Sequence, residues 1–204
     1  MIAQRKAAKK AAADARKLGR REIATWTRLA PHGIRVGVDF GGVILDIRDS
    51  SPHDNSTALL PAMPQTIESI ATMVELLSPQ NVFIVSKAKT DMQPRILFWL
   101  DAKNFYARTG FLPGNIHFCR ETRDKGPIVN RFRITHFVDD RLDVLQCMTS
   151  PPDGSIRKSY LLGTGHRYPT DNPRPGHCQA VDDWSTIVES LRNDVQAHAM
   201  LMGT

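Results

Sequence analysis

The sequence holds no apolar run approaching the roughly 18 to 20 residues that cross a bilayer, so it predicts no membrane-spanning helix. Its basic N-terminus is not followed by the apolar core of a secretory signal. Cysteine is scarce: Cys119, Cys147 and Cys178 are widely spaced, odd in number and include no CxxC pair. That pattern points away from a thiolate zinc site and predicts free thiols in a reducing compartment. The histidines form no pair at metal-binding spacing, and His117 and His136 fall within apolar segments where a packed role is expected. Internal repeats are absent. These absences together predict a soluble, cytoplasmic chain with no membrane contact.

What remains is ordinary for one globular domain. The chain has 204 residues, 41% of them hydrophobic and 24% charged, enough for one sizeable core. Its net charge of +6 is unevenly spread. Residues 1–21 carry eight Lys or Arg and one acid, Asp14, which leaves 19 basic against 20 acidic residues elsewhere. The basicity therefore belongs to a tail. The segment "AQRKAAKKAAADARKLGRRE" is rich in alanine, which favours helix, but its charges run nearly all the way round. Residues 1–30 are accordingly expected to form a basic helical extension before a domain at 31–204. Three readings of the tail stay open: a solvated helix, a contact to nucleic acid or another acidic surface, and a mitochondrial presequence if the source is eukaryotic.

From residue 31 onward, strand-like and helix-like segments alternate. "IRVGVDF" (34–40), "NVFIVS" (81–86), "NIHFC" (115–119), "ITHFVDD" (134–140) and "KSYLLG" (158–163) are short and apolar, as strands buried on both faces are. Helical spacing marks 65–77, 91–109 and 141–148. A loop dense in turn formers (163–177) precedes a last helix, for which Asp182 or Asp183 is a suitable cap. The pattern predicts an α/β fold: a Rossmann-like three-layer domain with a mostly parallel five-stranded sheet.

In such sheets, working residues collect at the carboxyl ends of the strands. The first predicted strand ends at Asp39, the second at Ser86 and Lys87, and the fourth at Asp139 and Asp140. Lys125 opens the helix leading into the fourth. Three carboxylates, a hydroxyl and an ammonium at one edge suit a divalent cation and an anion, and hard oxygen ligands favour magnesium. Phosphoryl transfer is the chemistry this set suggests.

Asp39 with Gly41, Gly42 and Val43, then "VFIVSK" (82–87), "DKGPI" (124–128) and "THFVDD" (135–140), resembles the four ordered motifs of the haloacid dehalogenase-like hydrolase superfamily. The resemblance covers about residues 33–190. It implies a magnesium-dependent phosphomonoester hydrolase in which Asp39 is the nucleophile and forms an aspartyl phosphate. Ser86 then donates to the phosphoryl oxygens, with Gly42 and Lys87 also against the substrate, and Lys125 neutralises charge. Asp39, the Gly41 carbonyl, Asp139 and Asp140 are the implied metal ligands. Asp143 is expected at the helix start or in support of the metal shell. "VGVDFGG" also looks like a sugar-kinase phosphate loop and "DFG" like a kinase magnesium loop, but 204 residues leave little room for two lobes and no Gly-rich loop precedes residue 39.

Gly41 departs from the family pattern. Phosphatases of this superfamily carry a second aspartate there, as general acid and then base, a function typically worth ~10² to 10⁴ in rate. Asp46, Asp49, His53 and Asp54 in the following loop are candidate substitutes. The alternative is a catalytically silent module that binds phosphate or associates with nucleic acid. The gaps at which the superfamily inserts a cap, about 20 residues before Gln65 and residues 120–124, are too short for a folded domain. An open site favours a phosphorylated substrate of some size: a nucleotide, a nucleic-acid end or another large phosphoester. An oligomer that supplies its own lid is the other option.

Overall fold

Strands without a polar face need cover on both sides, and the sheet is built accordingly. The computed structural model describes residues 33–48, 60–150, 152–163 and 174–202. The expected helical extension at 1–30 lies outside these residues, as do Asp49, His53 and Asp54.

The elements run β1 (Val36–Val38), α1 (Thr66–Leu77), β2 (Val82–Lys87), α2 (Gln93–Ala102), α3 (Phe105–Thr109), β3 (Ile116–Cys119) and α4 (Lys125–Arg131). They continue with β4 (His136–Asp139), α5 (Leu142–Gln146), β5 (Lys158–Leu162), β6 (Cys178–Val181) and α6 (Trp184–Met202). All neighbouring strands pair in parallel, in the order β3-β2-β1-β4-β5-β6. The sheet is thus six-stranded rather than five-stranded. The added strand, β6, is a short, partly exposed edge with Gln179 in it, so no continuous apolar run announces it. None of the helices among the described residues is long and apolar enough to cross a membrane.

Alternation along the strands divides the core in two. Val36, Val38, Val82, Ile84, Val138, Tyr160 and Leu162 face one layer, covered by α1, α2, α3 and α6. Phe83, Val85 and Phe137 face the other, where Val129 of α4 and Val144 and Leu145 of α5 meet them. Three layers result. The helix expected over 91–109 breaks in two because Asn104 adopts a left-handed conformation (φ 52°), which asparagine tolerates better than most residues. Asp183 caps α6: its Oδ1 accepts the Thr186 backbone N–H at 3.0 Å.

Strand order and register position the site. The chain runs outward from β1 to β3, then returns to place β4 on the other side of β1, making a switch point between β1 and β4. Val38 lies beside both Ile84 and Val138. Asp39 and Asp139, each one residue further on, therefore stand next to each other where the sheet ends.

Candidate active site

After Val38 the chain leaves the ladder and turns tightly, with Ile44 and Leu45 N–H groups both donating to the Phe40 carbonyl. Phe40 anchors the turn in the core, edge-on to Trp99 with ring centroids 5.4 Å apart. This holds Asp39 at the lip of the sheet. It is buried, 8% exposed.

The centre of the site is an ammonium shared between two carboxylates. Lys125 Nζ lies 2.8 Å from Asp39 Oδ1 and 2.8 Å from Asp139 Oδ2. A 3-10 turn (Thr122–Asp124), closed by a capping box between Glu121 and Asp124, delivers Lys125 to this position. Lys125 is itself buried, and its Nζ lies 5.6 Å from the centre of the Phe137 ring. Burial alone lowers a lysine pKa; here the charges of Asp39 and Asp139 outweigh it and hold Lys125 above its ordinary range. Burial, and then the Asp39 charge, push the Asp139 carboxyl up against the pull of Lys125. The second oxygen of Asp139 accepts the Arg141 N–H at 3.0 Å.

Asp140 completes the cluster. One ligand atom from each of Asp39, Asp139 and Asp140 falls within 4.8 Å of the others. Gly42 makes that placement possible. Its φ is +81°, a region disfavoured for other residues, and a Cβ there would fall 2.7 Å from Asp140 Cγ. Gly42 thus stands behind Asp140 and is not among the residues lining the cleft. Asp39 and Asp139 share the Lys125 ammonium, and Asp140 brings a third set of carboxylate oxygens beside them. A divalent cation with oxygen ligands fits this donor set.

The acids open into a cleft of about 390 Å³. Asp39, Gly41, Ser86, Lys87, Lys125 and Asp140 all line it, so the structure gathers most of the sequence-predicted set in one place. Lys89, Thr122 and Arg141 also line it and were not singled out by sequence. Lys89 lay in reach of the same rule, since it is two residues past the end of β2; Thr122 sits in a 3-10 turn with no periodic signal. The rest of the wall is apolar, with Phe40, Leu45, Ile47, Met92, Ile96 and Val144.

Other residues named from sequence have structural partners. Asp143 accepts from Arg141 Nε at 3.0 Å, which lowers its pKa, and it is outside the carboxylate cluster. Asp46 is held by Arg48 Nε at 2.9 Å, and its neighbours Leu45 and Ile47 form the cleft wall instead. His117 stacks on Phe132, ring centroids 4.1 Å apart, and burial brings its pKa down to about 4. His136 is packed between Thr135 Oγ1 and Asp194 Oδ2, at 2.8 and 3.1 Å. The three cysteines are free thiols.

A parallel sheet covered by helices on both faces, with acids at its switch point, is a three-layer α/β fold, and solved structures share it. A haloacid dehalogenase-like hydrolase described from Burkholderia xenovorans LB400 matches 79% of this chain and 98% of its own, with a TM-score of 0.56 at 13% identity. A haloacid dehalogenase-like family hydrolase from Xanthomonas campestris matches 82% and 98%, with a TM-score of 0.49 at 11% identity. No family model matches the sequence, and no curated protein matches it. The fold is that of the haloacid dehalogenase-like hydrolases, as the four motifs imply.

Proposed function

We propose that the protein is a magnesium-dependent phosphomonoester hydrolase. The observation that carries this reading is the Lys125 ammonium set 2.8 Å from both Asp39 and Asp139, beside a third carboxylate at the sheet's switch point. Asp39 attacks phosphorus, the bond to the leaving oxygen breaks, and water later releases phosphate from the aspartyl group. Two anions must approach in the first step, and Lys125 offsets their repulsion and stabilises charge on the transferring oxygens. Ser86 donates to the phosphoryl group, and Lys87 adds positive charge at the mouth. Asp39, Asp139 and Asp140, with the Gly41 carbonyl, would hold magnesium, which supplies Lewis-acid polarisation of the phosphoryl group.

Between β3 and α4 only residues 120–124 intervene, and they form the turn that carries Lys125. That connection is too short for a folded cap, which suits a large phosphoester, such as a nucleic-acid end. The basic tail at 1–21 would then hold the polymer, in a soluble cytoplasmic protein.

Gly41 favours a second reading, a phosphate-binding module without turnover. Phosphate release from nucleotides, sugar phosphates, an aryl phosphate and phosphorylated oligonucleotides, with magnesium or EDTA, separates the two. Magnesium-dependent release supports the hydrolase. Magnesium binding without release from any substrate supports the module.

A further inference from the structure

Asp39 and Asp139 lie at the carboxyl ends of β1 and β4, and a second cleft lies at the opposite edge of the sheet. It is formed where the chain enters β1, β4 and β5, has a volume of about 400 Å³, and is lined by Asn130, Arg133, Thr135, Asp153, Ser155 and Arg157. The two clefts share no lining residue. Arg35 precedes β1 and Asp39 follows it, four residues on, so roughly 13 Å of extended chain separates the two edges.

Hydrogen bonds fix the backbones of both arginines around Thr135. Arg133 N–H donates to the Asn130 carbonyl at 3.1 Å, and Arg157 N–H to the Thr135 carbonyl at 2.8 Å. Ser155 ties the two loops together, its N–H donating to Asn130 Oδ1 at 3.1 Å and its hydroxyl to the Ile134 carbonyl at 2.7 Å. Arg133 follows α4 with a φ of +50°, the left-handed position at which helices commonly end in glycine. A cation suits a helix carboxyl end. That accounts for the charge of Arg133 but not for Arg157, which another loop brings to the same cleft. A third arginine lies behind the wall: Arg35 is buried, and its Nη1 donates to the Phe132 carbonyl at 2.8 Å. Burial, and then the charge of Arg133, lower its pKa. An anion between such like charges relieves their repulsion. Gly33 lines the cleft as well, and residues 1–21 before it in the sequence carry eight Lys or Arg and one acid.

We propose that this edge is a second, non-catalytic binding site for nucleic acid, in which Arg133 and Arg157 take backbone phosphates and the basic tail preceding Gly33 extends the contact along the polymer. The planar guanidinium fork matches phosphate oxygens bidentately. With its oxygen taken by Ser155, the Asn130 amide offers its NH2 group to the same phosphates. Contacts of this kind position a polymer without reading its bases. A tail whose charges run nearly all the way round suits a continuous phosphate backbone better than a single patch of carboxylates on a protein. The site extends the polymer contact proposed for the tail and does not depend on turnover at Asp39.

The test is fluorescence anisotropy of the full chain with a labelled single-stranded oligonucleotide that bears no terminal phosphate, titrated at several salt concentrations. Wild type is compared with the double variant Arg133→Asn, Arg157→Gln. Asparagine tolerates the left-handed position, and equal melting temperatures show that both proteins are folded. Each phosphate contact to a single strand contributes about 0.7 to the slope of log affinity against log salt. The double variant should therefore have a slope shallower by about 1.4, a relative change of about 25-fold in affinity for each tenfold change in salt. Asp153→Asn, which removes an acid from the cleft, should bind more tightly than wild type. Magnesium-dependent release from an aryl phosphate should be equal in wild type and double variant, since neither arginine lines the active-site cleft. Equal salt slopes in wild type and double variant overturn the site and leave the hydrolase reading standing. No binding of the oligonucleotide by wild type overturns it as well. So does tighter binding of poly-glutamate than of the oligonucleotide, lost in the double variant, which assigns the cleft to an acidic protein.

Discussion

The backbone of Gly42 and the carboxylate of Asp140 share one space: a Cβ on Gly42 would lie 2.7 Å from Asp140 Cγ. A left-handed turn without a side chain is what lets a third acid reach Asp39 and Asp139. Gly42→Ala should therefore do two things. The φ of +81° should cost roughly 1–2 kcal/mol in stability, and the displaced Asp140 should weaken magnesium binding. Gly41→Ala, with no atom of the described residues nearer than 3.9 Å, should leave stability within about 0.5 kcal/mol of wild type. Thermal melts and magnesium calorimetry on both variants check the contrast. Equal effects from the two substitutions would remove Gly42 from this role.

Lys125 is the cation that two buried carboxylates share. Lys125→Met should lower the rate by about 10² to 10³, as loss of a charge-stabilising donor does elsewhere. It should also destabilise the fold, by roughly 3–5 kcal/mol if the carboxylates stay charged. Denaturant melts with and without magnesium distinguish the two effects, since added divalent cation should restore part of the stability. No change in either quantity would contradict the shared-ammonium account.

Magnesium should raise the melting temperature of the wild type. At about one hundred times its dissociation constant, a ligand bound only by the native state adds about 2.7 kcal/mol. Asp139→Asn should lose most of that increment, because Asp139 is fully buried and belongs to the cluster. An unaltered increment would place the ion elsewhere.

His136 sets an acid limit on stability. Burial brings its pKa down to about 4, against the pull of Asp194 and below the ordinary value of 6.5. The unfolded chain takes up a proton below 6.5 that the folded chain accepts only near 4. Stability from this residue is present above pH 6.5 and falls between 6.5 and 4, by about 3 kcal/mol in total. Denaturant unfolding from pH 7 to 4.5 should show the slope, and His136→Gln should flatten it. A slope unchanged in that variant would assign the acid limit to other groups.

Residues 1–21 carry the chain's excess of positive charge. Deleting 1–21 removes seven net positive charges from the chain, so oligonucleotide affinity and its salt dependence should both drop. Identical salt slopes for the full and shortened chains would dismiss the tail as a polymer contact.

Much of the site was legible because one rule governs it. Apolar strands end in Asp39, Ser86 and Asp139, and a parallel sheet brings such ends together; the matched register of Val38 and Val138 then makes two of them neighbours. What sequence did not reveal depends on contacts rather than pattern. The edge strand β6 has too little apolar surface to stand out, and Asn104 splits a helix that periodicity alone makes continuous. Thr122 and Arg141 reach the cleft through a 3-10 turn and a strand exit, where side-chain direction follows no period. The role of Gly42 as backing for Asp140 required the distance itself.

The proposed hydrolase depends on Asp39 as the nucleophile toward phosphorus. Its most direct test is phosphate release from an aryl phosphate at saturating magnesium by the wild type and Asp39→Asn, with melting curves showing both folded. The wild type should release phosphate and the variant should lose at least three orders of magnitude in rate, on the scale of catalytic residues generally. Equal release by the two proteins would contradict it.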